Sequence, residues 1–198
     1  MARRPLDLYT TDTRIADLLL DRLPISGNVL EPCAGPGRMA GALRKGRNVE
    51  EVLTSDIKPG YVTDLVGDAT LAESACWQVP GIDWVVTNPP FKQAHRILPH
   101  AFKAARIGVA FLLRLTYAEP ARGRGHWLAM HADQQVNLIT LNPRPLFRQG
   151  EINPETGEVY GTDFATVAWF VWARGWSWKR RGIACPFQYV TGWDADSA

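Results

Sequence analysis

A glycine-bearing turn early in the chain has the residue types of a ligand-binding turn. The segment from Val29 to Gly37 reads Val-Leu-Glu-Pro-Cys-Ala-Gly-Pro-Gly and joins an apolar run to a helical stretch. Gly35 and Gly37 let the backbone approach a ligand that side chains would block. N–H groups at the helix start can meet a carboxylate or phosphate, and Glu31 can accept bonds from an ammonium group. Asp56 stands where an acidic side chain reaches ribose hydroxyls in Rossmann-type sites. The alternative is a turn that needs glycine only for its shape.

A second segment, Asn88-Pro-Pro-Phe91, follows an apolar run that ends at Thr87. Ligands in open α/β sheets bind at the carboxyl ends of the strands, where this tetrapeptide is expected. The prolines fix their own φ angles and push Asn88 away from helix, which gives a stiff turn. A turn that only enters a helix needs neither an asparagine nor a terminal aromatic residue. We therefore interpret the tetrapeptide as part of a site.

The elements that must position these segments follow the pattern of an α/β protein. Short apolar runs alternate with helical stretches, which predicts a mostly parallel sheet with helices on both faces. The predicted strands are 28–32, 51–56, 61–65, 82–87, 107–115, 136–141 and 164–172. The predicted helices are 12–23, 39–45 and 92–105. No helix fits between the last two strands, so we expect a seven-stranded sheet with an antiparallel C-terminal hairpin.

The composition is ordinary for a globular protein with a real core. Hydrophobic residues make up 46% of the 198 residues, charged residues 21%, and the formal net charge is +2. The three cysteines are odd in number and far apart, which favours a reducing cytoplasm. No Cys/His spacing suggests a metal site, and no apolar window reaches the length of a membrane span. We expect a cytoplasmic protein, a single domain over residues 1–198, with neither metal nor membrane as partner.

The turn from Glu31 to Gly37 resembles the first motif of S-adenosylmethionine-dependent methyltransferases. The resemblance implies the Rossmann-like methyltransferase fold, with the turn on the methionine part of the cofactor and Asp56 on its ribose. Asp68 matches the position that meets the cofactor's adenine amino group, and it would equally suit a loop aspartate. Leu8-Tyr9-Thr10-Thr11 resembles the motif that closes over the methionine. The implied cofactor-binding residues are Tyr9, Thr10, Glu31, Pro32, Cys33, Ala34, Gly35, Gly37, Asp56, Ile57, Asp68 and Asn88.

Asn88-Pro-Pro-Phe91 resembles the (Asn/Asp/Ser)-Pro-Pro-(Tyr/Phe/Trp) motif of methyltransferases that act on amino groups. The resemblance implies that Asn88, Pro89, Pro90 and Phe91 are the catalytic residues. The Asn88 side-chain oxygen and the Pro89 carbonyl would accept the two hydrogens of the substrate amine, and Phe91 would stack on the base. Transfer would be direct, with positioning carrying most of the rate.

The order of the two motifs is that of gamma-type DNA N6-adenine methyltransferases, and the compact chain resembles small phage and prophage adenine methylases. This resemblance implies methyl transfer to N6 of adenine in double-stranded DNA, in the cytoplasm of a bacterial or phage-infected cell. The target adenine would be flipped out of the duplex. Phe147, in Asn142-Pro-Arg-Pro-Leu-Phe, looks like the aromatic residue that stacks on the flipped base.

Basic residues after the fifth strand and near the carboxyl terminus are candidates for phosphate contacts. Arg114 lies near the end of the fifth predicted strand, a loop is predicted around Arg122 and Arg124, and 174–181 mixes basic with aromatic residues. A solvated basic edge is the alternative. The predicted nucleic-acid backbone contacts are Arg122, Arg124, Lys179, Arg180 and Arg181. The chain offers no separate target-recognition domain, so we expect a short or relaxed target sequence.

Other functions remain open at this point. The same tetrapeptide occurs in enzymes that methylate RNA and in enzymes that methylate protein glutamine, although the latter more usually end it in tyrosine. A catalytically silent partner could keep the fold to grip nucleic acid, but both motifs are intact here. A nicotinamide oxidoreductase is disfavoured, because the dinucleotide fingerprint wants a third glycine.

Overall fold

Seven strands and four α-helices account for about half of the described residues. A computed structural model describes residues 11–119, 122–141, 145 and 166–189. The strands are β1 (Gly27–Glu31), β2 (Val49–Asp56), β3 (Leu65–Val66), β4 (Trp84–Thr87), β5 (Gly108–Arg114), β6 (Gln135–Thr140) and β7 (Val167–Ala173). The helices are α1 (Thr13–Arg22), α2 (Arg38–Leu43), α3 (Ala94–Ala104) and α4 (Arg122–His131).

The strands form one sheet in the order β3-β2-β1-β4-β5-β7-β6. The pairs from β3 to β5 are parallel, whereas β7 runs antiparallel to both β5 and β6. The predicted mostly parallel sheet with an antiparallel C-terminal hairpin is confirmed. The sequence did not predict that β7 lies between β5 and β6, so that the last strand in the chain is an inner one.

Two apolar clusters lie on opposite faces of the sheet. On one face, Leu19 of α1 and Met39 of α2 belong to a cluster with Val29 of β1. On the other, Ile97 of α3 and Leu128 of α4 belong to a cluster with strand residues of β4, β5 and β7. The expectation of helices on both faces is confirmed, and it explains why β5 and β7 are apolar along both faces. Among the described helices, none is long and apolar enough to cross a membrane.

The third strand is much shorter than the run 61–65 suggested. Only Leu65 and Val66 pair with the end of β2. Just before them, the Asp64 carboxylate accepts bonds from the backbone N–H of Thr54 at 2.8 Å and from its hydroxyl at 2.7 Å. The Asp64 side chain therefore occupies a backbone donor of β2 that would pair with β3 if β3 were longer. The strand β3 begins only after Asp64.

A helix occupies the region after β5 that the sequence suggested was a loop. Gly123 and Gly125 lower the helix propensity of this stretch, which is why the pattern misleads. Packing stabilises α4 instead. Leu128 is fully buried, and the Trp127 ring lies edge-on to Phe102 of α3 with 5.8 Å between ring centroids. Arg124 consequently lies on a helix and not in a loop.

Candidate active site

A cavity opens at the carboxyl ends of β1, β2 and β4. It encloses about 1050 Å³ of space outside the protein atoms, part of which is open to solvent. The chain leaves β1 towards β2 on one side and returns with β4 on the other, so the cavity lies at the switch point where α/β sheets bind ligands. The predicted site residues that line it are Glu31, Pro32, Cys33, Ala34, Gly35, Asp56, Ile57, Asp68, Asn88 and Pro90.

The turn after β1 is fixed to the end of β2. Gly35 and Gly37 have φ angles of 52° and 78°, a region that favours glycine. The Asp56 Oδ2 atom accepts a bond from Gly35 N at 2.8 Å, and Oδ1 accepts one from Lys58 N at 2.9 Å. Each carboxylate oxygen can accept a second bond, so Asp56 keeps acceptor capacity towards the cavity. Gly37 precedes α2 and does not line the cavity.

Glu31 brings a buried carboxyl group to the wall of the cavity. The residue is 2% exposed, and its Oε2 atom has no hydrogen-bond partner among the residues that the structure describes. Burial raises the pKa of the Glu31 carboxyl well above its usual range, and the nearby Asp56 charge adds to the effect. A ligand that carried a positive charge to Glu31 would offset the cost of ionising it. Burial likewise raises the pKa of the neighbouring Cys33 thiol.

The Asn88 carboxamide is held from the opposite wall. Its Nδ2 atom donates to the hydroxyl oxygen of Thr11 at 3.0 Å, and Oδ1 accepts no hydrogen bond from the part of the chain that the structure describes. Thr11 is 7% exposed and also lines the cavity. The sequence had placed Thr11 in the motif that closes over the cofactor, but it was not among the predicted contacts. Its position just before Asp12, the N-cap of α1, was the available signal.

The rest of the tetrapeptide turns the chain into α3. The Pro90 carbonyl accepts bonds from Gln93 N at 2.8 Å and Ala94 N at 3.1 Å, which closes the turn at the helix start. Pro89 and Phe91 do not line the cavity. Phe91 packs against the core on the α1 side, and the Arg114 guanidinium lies 5.0 Å from its ring centroid. The stacking of Phe91 on a substrate base stays a prediction.

Two exposed arginines that the sequence analysis did not single out also line the cavity. Arg38 follows Gly37 directly, and Arg96 lies in the first turn of α3. Neither guanidinium has a hydrogen bond or ion pair with another residue in the described part of the chain. Gln93 and Ile97 line the cavity from the same face of α3 as Arg96, so the spacing after the tetrapeptide was the signal that could have revealed it.

The basic residues near the carboxyl terminus lie at the other edge of the sheet. Because β7 is antiparallel to β5, it ends at Ala173 beside Gly108, where β5 begins. Lys179, Arg180 and Arg181 form an exposed turn beyond that end. A seven-residue strand spans roughly 20 Å, so the structure does not bring these residues together with the cavity.

Arg124 is occupied within the protein. Its Nε atom donates to the Glu119 carbonyl and its Nη2 atom to the Thr116 carbonyl, both at 3.0 Å, and its guanidinium lies over the Tyr117 ring. These bonds fasten the turn after β5. Of Arg122 only the backbone is described, as the first residue of α4. Tyr9, Thr10 and Phe147 lie outside the described residues.

Within the same described ranges, no three His, Cys, Asp or Glu side chains form a group that could hold a metal ion. The acidic residues of the cavity, Glu31, Asp56 and Asp68, are spread along its wall and face it from three different strand ends or loops. The arrangement suits an organic ligand with several separate polar groups.

No protein-family model matches the chain, and no curated protein matches its sequence. Solved structures do resemble it. A candidate RNA methyltransferase from Pyrococcus horikoshii is 17% identical with a TM-score of 0.56, over 87% of this chain and 91% of that one. The methyltransferase subunit of a type I restriction-modification system from Streptococcus thermophilus is 14% identical with a TM-score of 0.59. That match covers 84% of this chain but only 45% of the subunit.

A third similar structure is M. capricolum TrmK in complex with its cofactor product S-adenosylhomocysteine. It is 8% identical with a TM-score of 0.54, over 82% of this chain and 69% of that one. Likeness at such low identity shows a shared fold and no more, because one fold hosts many reactions. The predicted fold is thus confirmed: this chain has the Rossmann-like methyltransferase fold.

Proposed function

We propose that this chain transfers a methyl group from S-adenosylmethionine to the N6 amino group of adenine in double-stranded DNA, with a short or relaxed target sequence. One observation carries the proposal. The Asn88 carboxamide, whose Oδ1 accepts no hydrogen bond from any described residue, lines the same cavity as the Glu31 and Asp56 carboxyl groups. A methyl donor held by the acidic residues would therefore lie next to the group that receives the amine.

The polar groups of the cavity fit this cofactor. The partnerless Oε2 of Glu31 would accept the ammonium group of the methionine part. Asp56 would accept the ribose hydroxyls with its remaining lone pairs. Asp68 uses Oδ1 to accept Thr70 N at 2.8 Å, which leaves Oδ2 for the adenine amino group. When bound, S-adenosylmethionine supplies a methyl group that its sulfonium makes electrophilic.

Asn88 and Pro89 would orient the substrate nitrogen. An adenine amino group is a weak nucleophile, because its lone pair is delocalised into the ring. The Asn88 Oδ1 atom would accept one of its hydrogens and hold the nitrogen towards the methyl donor. Acceptance of the other hydrogen by the carbonyl of Pro89, which does not line the cavity as it stands, remains a prediction. No side-chain nucleophile is required, since most of the rate enhancement would come from position.

The charges around the cavity favour a polyanionic substrate over a protein glutamine. The exposed guanidinium groups of Arg38 and Arg96 are unpaired among the described residues, and both would suit phosphates that flank a target nucleotide. A base within a duplex cannot reach a cavity of this kind, so the adenine would have to leave the stack. Two of the similar structures are named for nucleic-acid systems, which supports the same substrate class.

A direct assay tests the proposal. Purified protein and isotopically labelled cofactor are incubated separately with plasmid DNA, an RNA transcript of the same sequence, and a mixture of unfolded proteins. Mass spectrometry of the digests should find N6-methyl-deoxyadenosine from DNA and none from an Asn88→Ala variant. Label found only in RNA, or only in glutamine, would show that RNA or protein is the substrate and that DNA is not. Modified adenines mapped at limiting enzyme should show at most a short common sequence; one motif of five or more fixed bases would contradict relaxed specificity.

A further inference from the structure

The two ends of the Asn88 carboxamide have opposite chemistry, and Thr11 contacts one of them. Nδ2 can only donate hydrogen bonds, whereas Oδ1 can only accept them. The Thr11 hydroxyl oxygen accepts from Nδ2 at 3.0 Å. The contact joins residues 77 positions apart, and it connects the start of α1 to the turn after β4.

Thr11 is a well-fixed partner. It is 7% exposed, and the following residue, Asp12, caps α1 by accepting a bond from Arg14 N at 3.0 Å. Beyond the cap, Ile15 and Leu19 of α1 are buried in the core. The hydroxyl is therefore held in place by a packed helix and not by a loose chain end.

The orientation of the amide decides whether an amine can be held. A substrate amine presents two hydrogens, so it needs Oδ1 facing it. If the amide rotated by half a turn, Nδ2 would face the amine and donor would meet donor. A threonine hydroxyl can donate as well as accept, so the contact does not by itself select an orientation; it anchors one end of the carboxamide, which in the structure is Nδ2, with Oδ1 turned away from Thr11.

We propose that Thr11 is a positioning residue: it anchors one end of the Asn88 carboxamide, so that the other end is held towards the substrate amine. The proposal rests on the function proposed above. In this role Thr11 makes no contact with the reacting atoms and acts only through Asn88.

Replacement of the hydroxyl tests the role. Thr11→Val keeps the size of the side chain and removes the acceptor. We expect kcat to fall about fivefold to thirtyfold, the scale of one lost hydrogen bond, with KM for DNA within about twofold. Cofactor affinity should also stay within about twofold. Thr11→Ser restores the hydroxyl and should recover most of kcat. A matched control is Thr54→Val, which removes a buried hydroxyl outside the cavity and should leave kcat unchanged.

An unchanged kcat for Thr11→Val would overturn the proposal, as would a failure of Thr11→Ser to recover kcat.

The contact itself can be observed without turnover. The side-chain amide resonances of Asn88, identified by their loss in Asn88→Asp, should move and exchange faster with water in Thr11→Val but not in Thr54→Val. Unmoved resonances would overturn the inference. A wild-type protein that methylates no substrate would defeat the proposed function instead, and these resonances would still decide whether Thr11 fixes the amide.

Discussion

The carboxylate of Asp56 accepts a hydrogen bond from the backbone N–H of Gly35, with 2.8 Å between Oδ2 and N. Gly35 has a φ angle of 52°, and its N–H points towards the end of β2, where Asp56 accepts the hydrogen bond. The acid expected at a ribose thus also shapes the turn after β1. A change at Asp56 should therefore affect the fold of the turn and the binding of a ligand together.

The first prediction separates these two effects. Asp56→Ala should weaken S-adenosylmethionine binding by about 1–3 kcal/mol, the scale of a lost charge-assisted hydrogen bond, and should also lower thermal stability. Calorimetric titration and thermal unfolding measure the two. Asp64→Asn is the matched control: Asp64 bonds to Thr54 outside the cavity lining, so its loss should lower stability with unchanged affinity. Unchanged affinity in folded Asp56→Ala would remove Asp56 from the site.

The second prediction concerns the ionisation of Glu31. Burial raises the pKa of this carboxyl, so in the ligand-free protein it keeps its proton to a higher pH than in the unfolded chain, and this proton binding stabilises the folded state. That contribution to stability is fully present below the usual pKa of glutamate and is lost as the pH rises through the raised pKa. Glu31→Gln is neutral at every pH and should lack this decline. Thermal unfolding over a pH series should show the wild-type curve falling away from the variant curve as the pH rises.

Ligand binding should favour the ionised form of the Glu31 carboxyl over its protonated form. An ammonium group beside Oε2 favours the carboxylate, so cofactor binding should release a proton where Glu31 is protonated in the free protein. Titrations in buffers with different ionisation enthalpies would detect that proton in the wild type and not in Glu31→Gln. Equal proton release by both proteins would mean that Glu31 does not meet the ammonium group.

Much of the fold could be predicted, because the pattern of burial is local in sequence. The β5 stretch is apolar almost throughout, and it is a strand covered on both faces. Strand order depends on contacts between residues distant in sequence. The apolar run of β7 does not indicate that this strand lies between β5 and β6. The loop predicted around Arg122 and Arg124, where α4 begins, was wrong for a related reason. Gly123 and Gly125 lower the helix propensity of α4. The packing of Trp127 on Phe102 stabilises the helix, but it joins residues distant in sequence.

The candidate site likewise contains residues whose place could be predicted from the sequence and residues whose place could not. Glu31, Asp56 and Asn88 follow directly from strands, so their place at one edge of the sheet could be predicted. Thr11 could not, because its contact with Asn88 depends on how α1 packs. The place of the basic residues 179–181 could not be predicted either. The antiparallel direction of β7 carries them to the far edge of the sheet, away from the cavity, and their contact with phosphates stays a prediction.

The third prediction concerns the chemistry of Asn88. Asn88→Ala removes the Oδ1 acceptor and should abolish methyl transfer, while cofactor affinity stays close to the wild-type value. Labelled methyl transfer to DNA and calorimetric titration measure the two. Asn28→Ala is a control at the start of β1, where Nδ2 donates to the Gly81 carbonyl away from the cavity, and it should remain active. Parallel loss of affinity and activity in Asn88→Ala would indicate a collapsed turn, and substantial turnover would exclude the role.

The last prediction concerns Arg96, the exposed arginine in the first turn of α3 that lines the cavity. If its guanidinium meets a phosphate, Arg96→Gln should weaken DNA binding and make it less sensitive to salt. A lost phosphate contact lowers the slope of log K against log[salt] by about 0.9. Fluorescence anisotropy with a short labelled duplex, over a series of salt concentrations, measures that slope without any need for turnover.

Lys103 supplies the control for this experiment, because it lies exposed on the same helix, seven residues further on. Seven residues advance a helix axis by about 10 Å, away from the cavity, so Lys103→Gln makes the same change in net charge at the wrong place. Its slope should stay that of the wild type. If both variants lowered the slope equally, the charge would be acting through the field of the whole protein and not by contact. If Arg96→Gln kept the wild-type slope, Arg96 would not touch the phosphates, and the unpaired cations of the cavity would cease to support a nucleic-acid substrate.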